Sequence, residues 1–214
     1  LLVRVFELHD LDQFNIYAYS LSEKDDEYTK RIRDSVSCYR EVNELGDLEI
    51  VNLARNDQLD IAIDLNGYTL NNRASIFSYR VAPIQINYLG YPGTLGSKSY
   101  DYILADKVLI PEENQKYYME KVLYLPYTCE PYDNKKIVSN KRFSREELGL
   151  PLDGFVFTCF NRTEKITRKE FQIWMRLLQK IDSSVLWLLK PHEDAIKNIL
   201  NEVEKYGIDQ ERII

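Results

Sequence analysis

Short apolar runs bounded by turn residues alternate along this chain with stretches whose apolar residues recur at helical spacing. That alternation constrains the fold more than any other feature. A helix that crosses between two strands returns the chain in the same direction, so the strands must run parallel. Residues 14–19, 59–64, 84–88, 102–105, 121–125, 154–160 and 185–189 read as strands. Residues 1–9, 25–36, 47–56, 72–79, 167–181 and 193–206 read as helices. Asp47 is the expected N-cap of the third helix, and Thr167 with Glu170 forms a capping box for the fifth. Phe171, Trp174, Met175, Leu178 and Ile181 then fall on one buried stripe. The pattern predicts an α/β protein with a mostly parallel sheet covered on both faces.

The 214 residues and 44% hydrophobic content, with 16 tyrosines and 8 phenylalanines, suffice for a large core. Residues 127–143 lose apolar periodicity, and Ser144 to Glu147 form a capping box for a short helix ended by Gly149 and Pro151. Three regions are therefore expected: a first lobe over residues 1–132, a linker with a short helix over 133–150, and a second lobe over 151–214. The β-α-β-α order of the second lobe is that of the first half of a Rossmann-like domain. Leu1 to Phe6 read as mid-helix and Arg212 to Ile214 as the opening of a strand. A fragment of a longer protein, with its second lobe truncated, is the expectation.

Composition narrows the function. A net charge of −6 argues against nucleic-acid binding, which needs a basic surface. The loose basic group Lys135, Lys136, Lys141, Arg142 and Arg145 reads as a solvated linker and helix face. Cys38, Cys129 and Cys159 are far apart and form no C-x-x-C pair, which fits unpaired thiols in a reducing compartment such as the cytoplasm. The two histidines, His9 and His192, suggest neither a zinc site nor a catalytic triad. No run of about 18 apolar residues predicts a membrane span, and no signal peptide is read.

Two loops carry candidate chemistry. Asn87 to Gly96 holds three glycines and a proline directly after a β-branched run, so its backbone is expected to approach something closely. Ligands of open α/β sheets sit at the carboxyl ends of strands, where this loop begins. Lys165 lies between a strand and a capped helix N-terminus, a place suited to a phosphate or diphosphate. A solvated surface lysine is the equal alternative from position alone. Asp10-Leu11-Asp12 has the D-x-D form used to hold a metal ion, but it precedes a strand, so turn chemistry explains it better. His9 reads as a helix C-terminal residue, and His192 as a second, weaker candidate for nucleotide contact.

Taken in order, these motifs resemble one family. Asp64-Leu65-Asn66-Gly67-Tyr68-Thr69, Arg80 to Gln85, Leu89-Gly90-Tyr91-Pro92-Gly93-Thr94 with Gly96, and Asp101-Tyr102-Ile103 come first. Asp153 to Phe157, Cys159-Phe160-Asn161, Lys165-Ile166, Trp174-Met175-Arg176 and Ser184 to Leu189 follow. The series is similar to the catalytic region of the O-linked N-acetylglucosamine transferases, which include the plant SPINDLY proteins. The resemblance implies a GT-B fold of two Rossmann-like lobes facing a cleft. It implies an inverting, metal-independent transfer of N-acetylglucosamine from UDP-GlcNAc to Ser or Thr of a polypeptide, with tetratricopeptide repeats upstream in the parent protein.

By the same resemblance Lys165 contacts the donor diphosphate and stabilises the leaving group, and Asn161 stands at the start of that loop. Leu89, Gly90, Pro92, Gly93 and Thr94 line the sugar and acceptor side. The family usually carries Gln or Asn and then Tyr before the lysine. Here Arg162-Thr163-Glu164 stands there, and Glu164 would repel a diphosphate unless Arg162 or Lys165 compensates. The family's upstream histidine motif would lie before Leu1 and its His-Thr-Thr motif after Ile214, so the fragment alone is expected to be inactive. Alternatives are the same fold with GDP-fucose or UDP-glucose as donor, and a catalytically silent interaction module attached to repeats.

Overall fold

Every strand pair in the protein is parallel. A computed structural model describes all residues, 1–214. It divides into two units, Leu1–Ile137 and Val138–Ile214.

The first unit runs α1 (Val3–Glu7), β1 (Tyr17–Ser20), α2 (Glu27–Arg33), β2 (Cys38–Glu41), α3 (Asp47–Asn56), β3 (Ile61–Asp64), α4 (Ser75–Ser78), β4 (Ile84–Tyr88), β5 (Tyr102–Ala105) and β6 (Lys121–Tyr124). A 3-10 helix, Glu112–Tyr117, connects the last two strands. Strands β1 and β2 pair with each other, and β3-β4-β5-β6 form a four-stranded sheet in sequence order. Strand β2 was not expected from the sequence, because Cys38-Tyr39-Arg40-Glu41 carries no apolar alternation. It is held by its backbone ladder to β1 and by Arg40, which meets the Asp57 carboxylate together with Tyr19 of β1.

The core of this unit gathers Val42, Ile50, Val51, Ala54, Ala62 and Ile76, from α3, β3, α4 and the residue after β2. Side chains alternate along a strand, so Ile61 and Ile63 point away from Ala62. They are 50% and 47% exposed, which leaves that side of β3 open, unlike the two-sided cover expected. The cap of α3 also differs from expectation. Gly46 is the N-cap, and its N–H donates to Glu49 at 2.7 Å. Asp47 instead takes Arg73 and Ser75, tying the start of α3 to the segment around α4.

An ion-pair network joins α1, α2 and the end of this unit. Arg31 reaches Glu7 at 2.8 Å and Asp133 at 2.7 Å, and Lys135 reaches Glu7 at 3.0 Å. Residues 133–135, which open the stretch read from sequence as a linker, are thus anchored to α1 and α2.

The second unit runs β7 (Val156–Cys159), a 3-10 turn (Thr163–Lys165), α5 (Arg168–Lys180), β8 (Val185–Leu188), α6 (Glu193–Lys205) and a second 3-10 turn (Gln210–Arg212). Phe171, Met175 and Leu178 of the α5 stripe pack with Leu186, Leu188 and Val203. The expected strand at the chain's end begins to pair. Ile214 donates to the Leu186 carbonyl at 2.9 Å and accepts from Leu188 at 2.8 Å. Ser144 and Glu147 exchange the capping-box bonds at 2.8 and 3.1 Å, but they close a turn rather than the short helix expected.

The Glu7 carboxyl is held down from 4.5 to about 2, first by Arg31 and then by Lys135 and Arg4. Its proton is bound less tightly folded than unfolded, so the stabilisation is complete above about pH 4.5 and lost as pH falls toward about 2. Glu7→Gln is expected to lower the thermal midpoint at neutral pH, with the difference from the unsubstituted protein vanishing near pH 2. A difference that stays constant from neutral pH down to that acid limit would contradict the linkage.

Candidate functional site

Parallel pairing sends the loops after β3 and β4 out at one edge of the sheet, where they interlock. Asp64, at the end of β3, accepts from the Asn66 and Gly67 N–H groups at 2.9 and 3.0 Å, which shapes the turn 65–68. Its other oxygen accepts from the Tyr100 hydroxyl at 2.6 Å. Burial first, and then this hydrogen bond, push the Tyr100 phenol well above its usual range, so it remains a donor.

The loop after β4 closes over that turn. Gly90 explains the close approach expected from the sequence. A Cβ there would stand 2.2 Å from the Leu65 carbonyl oxygen and 3.0 Å from Asn66. The approached group is therefore the neighbouring turn of the same protein. At the start of the loop the left-handed backbone falls on Leu89, at φ 72°, and not on Gly90. Asn87, fully buried, donates to the Tyr91 carbonyl at 3.0 Å. Its own oxygen has no hydrogen-bond partner. Tyr68 donates to the Leu95 carbonyl at 2.8 Å and its ring lies 5.7 Å from that of Tyr91.

Glu120, which sequence reasoning did not single out, fastens the far end of the loop. One of its oxygens takes the Thr94 hydroxyl and the other the Leu95 N–H, each at 2.7 Å. Of the residues read as the sugar and acceptor side, Gly90 and Pro92 are exposed, while Leu89, Gly93 and Thr94 are half-buried. The structure brings all five into one loop.

The second unit presents a different edge. Cys159 pairs with Leu188, so the loops after β7 and β8 emerge side by side. Asn161, Arg162 and Lys165 follow β7, and Lys190 and His192 follow β8, and all five are exposed. Lys165 ends its 3-10 turn just before Thr167, the N-cap of α5. The Thr167 hydroxyl is drawn to the Glu170 carboxylate instead of capping a backbone N–H. The first N–H groups of α5 therefore keep their capacity for an anion. Arg168 and Lys169 add positive charge, against Glu164 and Glu170. His192 is the N-cap of α6, and its Nδ1 accepts from the Asp194 N–H at 3.4 Å. His9 contacts the Val5 carbonyl at 2.8 Å at the end of α1, and Asp10 accepts from Asp12 and Gln13 within its turn.

Both units thus have parallel strands with loops gathered at their carboxyl ends, the layout of Rossmann-like domains, and the fold is of the GT-B type. The chain belongs to glycosyl transferase family 41, which matches residues 1–142 and 132–214. It is 33% identical to the "Probable UDP-N-acetylglucosamine--peptide N-acetylglucosaminyltransferase SEC" of Arabidopsis thaliana, over 87% of this chain and 20% of that protein. It is 30% identical to a SPINDLY protein of Eustoma exaltatum subsp. russellianum with the same enzyme description, over 96% of this chain and 23% of that protein. A solved structure of a Thermobaculum terrenum O-GlcNAc transferase mutant superposes with a TM-score of 0.83 at 27% identity, covering 99% of this chain and 40% of that one. The chain spans about a fifth of the length of these curated relatives.

Gly90→Ala places a methyl group against backbone that cannot rotate away. A cost of about 1–3 kcal/mol is expected, as for other overpacked sites. Chemical unfolding of the variant with an unchanged midpoint would mean that the two loops do not interlock as described.

Proposed function

We propose that the protein carrying this chain is an inverting glycosyltransferase that moves N-acetylglucosamine from UDP-GlcNAc to Ser or Thr hydroxyls of polypeptides. The observation that carries the reading is the family 41 match along the chain, supported by relatives named for peptide N-acetylglucosaminyl transfer. In this reaction the acceptor oxygen bonds to the anomeric carbon as the bond from that carbon to the diphosphate oxygen breaks. Negative charge then accumulates on the departing UDP. Lys165 and the N-terminal N–H groups of α5 are suited to neutralise it, because the lysine lies just before that helix start and no side chain caps the N–H groups there. Asn161 contributes a polar side chain at the start of the same loop. Leu89 to Thr94 supply the sugar and acceptor side.

The charge-neutralising part is given to a lysine and a helix terminus, so the reaction we propose is metal-independent. A cytoplasmic location is proposed on the three unpaired cysteines. Tetratricopeptide repeats upstream are proposed from the sequence resemblance. No helix is long and apolar enough to cross a membrane.

One observation favours a second reading of the donor. Glu164 stands beside Lys165 in the same 3-10 turn and is exposed, a departure from the residues the family usually carries there, and it points to a donor other than UDP-GlcNAc, either GDP-fucose or UDP-glucose. Binding of UDP and GDP to the full-length protein separates the two nucleotides.

In the full-length protein, Lys165→Ala is expected to lower sugar transfer about 100- to 1,000-fold, the usual loss when one fixed charge-stabilising group is removed. Exposure of Lys165 makes a folding defect an unsuitable explanation for such a loss. Unchanged transfer together with unchanged UDP affinity would remove Lys165 from the mechanism.

A further inference from the structure

The loop of residues 89–96 is held from outside by one buried carboxylate. Glu120 is 3% exposed and stands just before β6. Its two oxygens are both spent on this loop, on the Thr94 hydroxyl and on the Leu95 N–H. The Thr94 oxygen is itself saturated. It accepts from the Gly96 N–H at 3.1 Å and from the Met119 N–H at 3.2 Å, so its one proton is left to donate to Glu120. Tyr118, two residues before Glu120, adds a bond to the Pro92 carbonyl at 3.1 Å. The segment 118–120 therefore fixes Pro92, Thr94 and Leu95 together.

We propose that Glu120 is a positioning residue for sugar transfer, acting through Thr94 and Leu95 to hold the shape of the 89–96 loop. The inference rests on the transferase reading above. It also changes the part assigned to Thr94: its hydroxyl is used inside the protein and is not free for substrate. The chemistry requires a carboxylate. Both loop groups are donors, so the residue between them must accept twice. A glutamine would offer one oxygen and one NH2 group. The NH2 group would face a Thr94 oxygen that already accepts two bonds, and one of the two clamps would be lost. A bond to an ionised acceptor is also stronger than its neutral counterpart.

The experiment uses the full-length protein, with turnover and the Michaelis constants for UDP-GlcNAc and an acceptor peptide measured on Glu120→Gln, Thr94→Val and Thr94→Ser. A misplaced loop lowers turnover, so Glu120→Gln and Thr94→Val should each lose about 10- to 100-fold in kcat. The donor KM should stay in place, the signature of an interaction expressed in the transition state. Thr94→Ser keeps the hydroxyl and should recover most of the rate. The double variant Glu120→Gln/Thr94→Val should be no worse than the poorer single variant, because both remove the same clamp. Should Glu120→Gln fail to fold, the comparison of Thr94→Val with Thr94→Ser decides. Thr94→Val with the kcat of the unsubstituted protein, or with a loss equal to that of Thr94→Ser, overturns the inference and leaves the transferase reading standing. Absence of transfer by the unsubstituted protein overturns both.

Discussion

Parallel pairing of β3, β4 and β5 is the constraint on which the rest of the first unit depends. Parallel strands all deliver their carboxyl ends to one edge, and the loops that leave there cannot avoid one another. Their polar groups, once crowded away from water, must satisfy each other. Asp64 does this for the turn after β3, Asn87 for the loop after β4, and Glu120 for the far end of that loop. Gly90 is needed because the two loops come within contact distance of each other's backbone. The result is a loop whose shape is set by buried groups, while Gly90 and Pro92 remain at the surface.

The second unit obeys the same geometry with the opposite outcome. Its strands β7 and β8 also send their loops to one edge, but the polar side chains there are left to solvent. Asn161, Arg162 and Lys165 find few partners, and the Thr167 hydroxyl turns to Glu170 rather than to the helix backbone. One edge is a loop shaped by buried groups, and the other is an open helix terminus flanked by exposed basic side chains.

Local signals were readable wherever a residue's task involved its near neighbours in sequence. The α5 stripe appeared at Phe171, Met175 and Leu178, which are buried as their spacing required. The position of Lys165, between β7 and the start of α5, was legible because a strand, a loop and a helix start follow one another within a few residues. Strand β2 was not, because its four residues show no apolar alternation and its partner β1 lies on the far side of α2. Asp47 and Gly46 exchanged roles for a similar reason. The partners of Asp47 are Arg73 and Ser75, which reach it only after the chain has folded back. Glu120 gave no signal, since Thr94 and Leu95 precede it by 26 and 25 residues.

By itself the sequence determined the α/β class, the parallel direction of the strands, the main helical faces and the order of motifs shared with a glycosyltransferase family. Periodicity and local turn chemistry are encoded over a few residues, so they survive without coordinates. Only the tertiary structure decided what Gly90 approaches, which side of β3 stays open, and which carboxylate takes the hydroxyl of Thr94. Those are outcomes of distance between groups far apart in the chain. They follow from packing the loops of parallel strands into one edge, which no local pattern of residues records.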